Sequence, residues 1–138
     1  MSKLVSSQKN RFKVSEVLLK EIKRRGIDRV FGVPGRENAF ILFNEEEGLD
    51  YITTRVEFTA GIMADFTSRM TRSPQVCFST MGPGATNMTT AAASAMLNHS
   101  SLILITAQLE SDDCSYNLTH QCVDQKKLWR ALPSGLMN

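Results

Sequence analysis

What this chain of 138 residues lacks narrows the reading first. No apolar run approaches the roughly 20 residues that a membrane-spanning helix needs, so no membrane partner is expected. The first thirteen residues, MSKLVSSQKNRFK, have no apolar stretch of a secretory signal. They also lack acid, which leaves an organelle-targeting arm open beside the plainer reading of a disordered N-terminal arm over 1–13. Charge of one sign is missing too: the formal net charge is +2, too small and too mixed for a nucleic-acid surface. Cysteine is scarce. Three without a secretory signal argue against a disulfide framework and for a reducing, cytoplasmic setting. Cys77 lies in an apolar run and is expected in the core. Cys114 and Cys122 sit in a polar stretch with no second ligand pair, and His99 and His120 have no metal-binding spacing. No metal site is therefore expected in this chain. GxGxxG, GxxxxGK[ST] and GxSxG are all absent, which removes a dinucleotide turn, a P-loop and a nucleophile elbow.

What is present is a regular alternation. Apolar residues are 42% and charged residues 22%, a globular balance, and the length suits one sizeable core. Val14, Val17, Leu18 and Ile22 recur at helical spacing, with Ser15 as candidate N-cap and Gly26 as candidate stop. RVFGV (29–33), DYITT (50–54), QVCFST (75–80) and SLILIT (101–106) read as strands. Helices are expected around 39–43, over 57–72 and 85–98, and within 121–130. Near-continuous apolar strands alternating with helices predict an α/β fold, a doubly wound parallel sheet with helices on both faces, in one domain over 14–138. Ligands of such sheets bind beyond the carboxyl ends of the strands. That edge would carry Gly32–Arg36, Arg55–Glu57, Met81–Gly84 and Ala107–Glu110.

Two features stand out there. Glu57 begins a helix whose interior carries Ala60, Gly61 and Ala64, small enough for close approach to another backbone. A first-turn acid also complements a helix dipole, so Glu57 alone decides nothing. Gly82-Pro83-Gly84 joins a buried strand to a helix. Its glycines allow unusual backbone angles and bare the wall, and its proline stiffens the turn, so a flat heterocycle could lie against it.

In order along the chain stand FGVPGREN (31–38), TRVEFTAGIMAD (54–65), STMGPGATNMTT (79–90), ITAQLES (105–111) and THQCVD (119–124). Together they make the chain resemble the N-terminal, pyrimidine-binding domain of thiamine-diphosphate enzymes, over roughly residues 14 to 130. Within that family it is most similar to acetolactate-synthase-like enzymes. The GREN and THQC segments resemble the carboxyethylarginine synthases. The resemblance implies thiamine diphosphate as cofactor, with Glu57 as the catalytic acid that hydrogen-bonds N1′ of the aminopyrimidine and promotes its imino tautomer. A carboxylate does this best where water is excluded. It further implies Pro34, Gly35, Gly82, Pro83, Gly84 and Asn87 as cofactor-binding residues. Arg36, Gln108 and Gln121 match positions on the substrate side. Arg36 could hold a carboxylate or phosphate bidentately, a solvated surface arginine being the alternative.

The resemblance also has gaps. Many members carry His immediately before the Glu, where this chain has Val56. Where members have an Asp-x-Ser-Pro-like segment, this chain has Asn98-His99-Ser100-Ser101. The family holds Mg²⁺ and the diphosphate with a GDG motif in a separate domain, and no GDG occurs here. The family's last strands, ending in a GPV-like segment, are also without a counterpart, so an incomplete sheet is expected. The resemblance therefore implies a pyrimidine-side part of a carboligase or decarboxylase for 2-oxo acids, acting in a homo- or hetero-oligomer with a GDG-bearing chain or domain. The alternative is a non-catalytic subunit that only associates with a related chain.

Overall fold

The computed structural model describes residues 13–39, 48–108 and 121–132. Its elements run α1 (Val14–Arg24), β1 (Arg29–Gly32), β2 (Asp50–Thr53), α2 (Glu57–Thr71), β3 (Gln75–Ser79), α3 (Pro83–Asn87), α4 (Thr89–Leu97), β4 (Leu102–Thr106) and α5 (Gln125–Arg130). The strands form one sheet in the order β2-β1-β3-β4, and every pairing is parallel. Side chains alternate across the sheet, so each face has its own core. Leu19 and Ile22 of α1 pack with Ile27, Val30, Val76 and Phe78. On the other face Phe31 and Cys77 meet Ala60 and Ala64 of α2 and Met88. Helices on both faces of a parallel sheet are the architecture the sequence predicts. β3, with a strand on either side and a core on either face, is buried along its whole length.

Several local expectations are corrected. Helix α1 starts at Val14 with Lys13, not Ser15, at its cap, because the Glu16 carboxylate reaches back to accept from the Lys13 amide at 3.4 Å. Val14 and Val17 are exposed, and the core face runs through Leu19 and Ile22. Gly26 does end the helix, at φ +76°. The helix expected over 85–98 is two helices broken at Met88. Thr86 Oγ1 donates to the Pro83 carbonyl at 2.9 Å and Thr89 Oγ1 to the Thr86 carbonyl at 2.8 Å, competing with the helical ladder. The last helix begins at Gln125, where Asp124 accepts from the Lys127 amide at 3.0 Å. Cys77 is the buried free thiol expected. Cys122 is disulfide-bonded, against the expectation from the cysteine count; an odd count also accommodates one bridge and one spare thiol. Residues 1–12 of the arm expected over 1–13, most of the helix around 39–43, Cys114 and His120 lie outside the described residues. Among the described residues no helix is long and apolar enough to cross a membrane.

Helix α2 positions the functional edge. Its buried Ala60, Gly61 and Ala64 form the flat face expected of small residues, and a β-carbon on Gly61 would collide with that of Ala91 on α4. Asp65, fully buried on the same helix, accepts hydrogen bonds from Ser94 Oγ at 2.8 Å and from Ser100 Oγ. These two bonds tie α2 to α4 and to the entry of β4.

Candidate functional site

Strand β1 has β2 on one side and β3 on the other, so the first crossover steps one way along the sheet and the next steps back past β1. Such a switch point opens a crevice beyond the carboxyl ends of the two diverging strands. Here the crevice is bounded by residues 33–38 after β1 and 80–84 after β3. The start of α2 is drawn to it because the Thr54 amide donates to the Gly32 carbonyl at 2.9 Å. Thr54 Oγ1 then donates to the Val56 carbonyl at 2.9 Å, turning the chain into the helix. Val56 gives α2 no side-chain cap.

Glu57 is the first residue of α2, and its Oε2 accepts from Asn87 Nδ2 at 3.0 Å. Its Oε1 borders the bare α-carbon of Gly84, where a β-carbon would stand 3.2 Å away. Gly82 adopts φ 57°, ψ −112°, a region closed to residues with a β-carbon, and Pro83 opens α3 directly after it. The carboxylate and the glycine-proline-glycine turn therefore share one cleft. Glu57 is half-buried, not shut away from water as expected for a finished pocket. Its charge is felt beneath the cleft. Burial pushes the Tyr51 hydroxyl up to about 12, with Cys77 and Glu57 adding to the shift. Burial, then the Glu57 charge, pushes the Cys77 thiol up to about 12 as well.

The other candidates fall into two groups. Gln121 comes to the cleft, its backbone lying across Gly82 where a β-carbon would be. Gly35 comes through Thr80, whose methyl occupies the place of a Gly35 β-carbon and whose Oγ1 would stand 2.5 Å from one on Gly84. Pro34 and Arg36 are exposed at the rim. Gln108 is also exposed and donates to the Val123 carbonyl at 3.4 Å, so it bridges to the segment before α5 instead of facing Glu57. Sequence reasoning passed over Thr80, Asn38 and Tyr51, which knit the two turns together. Thr80 and Asn38 sat inside quoted motifs; Tyr51, one residue of an apolar strand, gave no signal. Among the described residues no group of three or more His, Cys, Asp or Glu could hold a metal ion.

Fold and cleft together define a ligand-binding α/β domain of the kind that seats a cofactor at a switch point. The chain belongs to the family described as thiamine pyrophosphate enzyme, N-terminal TPP binding domain, which it matches over residues 12–128. It is 34% identical over 106 residues to the acetolactate synthase isozyme 1 large subunit of Escherichia coli, covering 75% of this chain and 19% of that protein. It is 31% identical over 116 residues to a probable 2-ketoarginine decarboxylase of Pseudomonas aeruginosa, covering 82% of this chain and 21% of that one. A solved structure, the thiamine diphosphate-dependent 4-hydroxybenzoylformate decarboxylase of Rhodococcus jostii, superposes with a TM-score of 0.78 at 25% identity, over 88% of this chain and 23% of that chain. The chain thus spans about a fifth of the length of these curated relatives.

Proposed function

We propose that this chain is the pyrimidine side of a thiamine-diphosphate carboligase or decarboxylase acting on 2-oxo acids, completed by a GDG-bearing diphosphate-binding chain or domain from elsewhere. One observation carries the reading: the Glu57 carboxylate, held by Asn87, lies against the bare backbone of Gly84. The residues present fit the aminopyrimidine of the cofactor. A flat ring needs a wall without side chains, which Gly82 and Gly84 supply, and its N1′ needs an acid within hydrogen-bond reach, which Glu57 supplies. When bound, the cofactor would supply a carbon acid whose deprotonated form adds to a 2-oxo acid. Glu57 would hold or share a proton at N1′, and Asn87 would keep its carboxylate aimed. Pro34, Gly35 and Pro83 would border the ring. Arg36 at the rim would meet the substrate carboxylate, with Gln108 and Gln121 on the substrate side. Mg²⁺ and the diphosphate would be held by the GDG-bearing chain or domain.

The exposed side of α2 suits such a partner. Met63, Phe66 and Met70 stand out from the helix that begins with Glu57. Residues seven apart or fewer on one helical stripe, apolar and exposed, favour a packed neighbour. A covering domain would also exclude water from Glu57.

The test mixes the pure chain with a GDG-bearing diphosphate domain and assays thiamine-diphosphate-dependent consumption of pyruvate. Turnover is expected in the mixture and in neither part alone, and Glu57→Gln is expected to lower it by about 10²–10⁴-fold. If the partner binds but Glu57→Gln changes nothing, the chain is a non-catalytic subunit that only associates.

A further inference from the structure

Asn38 has a burial and a bonding pattern that the proposed chemistry does not use. It is 2% exposed, in a turn whose neighbours Pro34 and Arg36 face solvent. Its Oδ1 accepts from the Gly35 amide at 2.7 Å. Its Nδ2 donates to the Val33 carbonyl at 3.0 Å and to the Tyr51 hydroxyl at 3.4 Å. Both amide protons and one carbonyl lone pair are therefore used. A capping Asn accepts from an amide two or three residues later, whereas Asn38 accepts from one three residues earlier.

The three bonds reach three places. Val33 continues β1, Tyr51 belongs to β2, and Gly35 is pressed onto Thr80 after β3. Tyr51 is itself fixed, its hydroxyl filling the place a β-carbon on Gly32 would take. We infer that Asn38 is a positioning residue: it fastens the Val33–Arg36 turn to the end of the sheet, so that Gly35 stays against Thr80 and Arg36 stays at the cleft rim. The geometry of the substrate-facing wall is thus set by a buried amide that touches neither cofactor nor substrate. The inference about substrate rests on the function proposed above; the inference about the turn does not.

Amide hydrogen exchange on the chain alone tests the turn. In Asn38→Ala the Gly35 amide loses its acceptor, and its exchange is expected to quicken at least about tenfold. The amides of Val76, Cys77 and Phe78 in the central strand are expected to keep their native rates. Asn38→Asp, which still offers an acceptor, is expected to hold Gly35 near its native rate. Unchanged exchange at Gly35 in Asn38→Ala overturns the inference, and so does equal quickening across β3, which would make Asn38 a support of the whole fold. Should Asn38→Ala not fold, Asn38→Asp in the assembled enzyme decides. That variant keeps the acceptor for the Gly35 amide but loses both donors, so the turn keeps its internal bond and is released from Val33 and Tyr51, while Glu57 is undisturbed. The KM for pyruvate is expected to rise about tenfold with kcat within about threefold. A fall in kcat at constant KM overturns it. Failure of the native assembly to turn over at all counts against the function proposed above and leaves the exchange result to judge Asn38.

Discussion

Asn87, the last residue of α3, donates its side-chain amide to the Glu57 carboxylate, the first side chain of α2, across 30 residues of sequence and 3.0 Å of space. The Glu57 carboxylate is thus held by a neutral donor, so the charge of residue 87 matters. Asn87→Asp would oppose two carboxylates. Like charges raise the proton affinity of the pair in the folded state. The penalty is therefore full at pH 7 and is relieved as pH falls through the carboxylate range near 4. The melting temperature of Asn87→Asp should lie below that of the native chain at pH 7 and converge with it in acid. Asn87→Ala, which removes the donor without adding a charge, should show a smaller drop at pH 7.

The two glycines of the turn should fail differently. Gly82→Ala forces a β-carbon into a disallowed backbone region and against the backbone of Gln121, which cannot rotate away. The strain alone costs about 1–3 kcal/mol, and urea unfolding should show at least that loss. At Gly84 the nearest atoms belong to the side chains of Thr80 and Glu57. Thr80 can turn aside, so Gly84→Ala should cost less stability while it fills the wall beside Glu57. Thiamine-dependent turnover with the partner domain should then disappear from a folded protein.

The buried thiol gives an alkaline limit. Cys77 is 0% exposed, and its folded-state pKa, pushed up to about 12 by burial and by Glu57, lies above the unfolded value of 9.0. A raised pKa contributes stability that is complete below the unfolded value and is lost as pH rises toward the folded one. Stability should therefore decline between about pH 9 and 12, by up to about 1.4 kcal/mol per pH unit from this group. Tyr51, shifted up in the same direction, adds to the decline at the upper end. Cys77→Ser should flatten the part near pH 9 to 10 in urea titrations. Iodoacetamide at pH 8 should label Cys77 only on unfolding.

Asp65 separates hydrogen bonding from ion pairing. Its carboxylate receives two serine hydroxyls, while Arg69 Nε stands 3.6 Å away and is a third exposed. The arginine is a weak partner at that distance and exposure, worth about 0–1 kcal/mol. Arg69 also lies over the Phe66 ring, 4.1 Å from its centroid, and would keep that contact without Asp65. Asp65→Ala strands the Ser94 hydroxyl, leaves Ser100 Oγ only the Ala95 carbonyl at 3.2 Å, and opens a hole between α2 and α4; it should cost about 3 kcal/mol. Arg69→Gln should cost about 1 kcal/mol or less. Chemical denaturation of both variants gives the comparison.

Much of this was legible in the residues themselves. The four strands were visible because both faces of a parallel sheet are covered, so their sequences are continuously apolar. The glycine-proline-glycine turn and Glu57 announced themselves by type and place. Helix edges were less legible. The break at Met88 depends on where two threonine hydroxyls point, and the exposure of Val14 and Val17 depends on how α1 is rotated on the sheet. Periodicity fixes neither. Asn38 and Thr80 act through contacts between segments far apart in sequence, and a motif shows only that such residues are present.

The two turns that flank the cleft leave from β1 and β3, strands joined by their own ladder. Parallel neighbours lie about 4.8 Å apart, and Thr80 fills the gap from Gly35 to Gly84 with a single side chain. The gauge of the opening is thus inherited from main-chain hydrogen bonding, like the spacing of rails set by their ties. Rim residues such as Arg36 can be exchanged for others to change what is admitted, and the aperture itself will not widen.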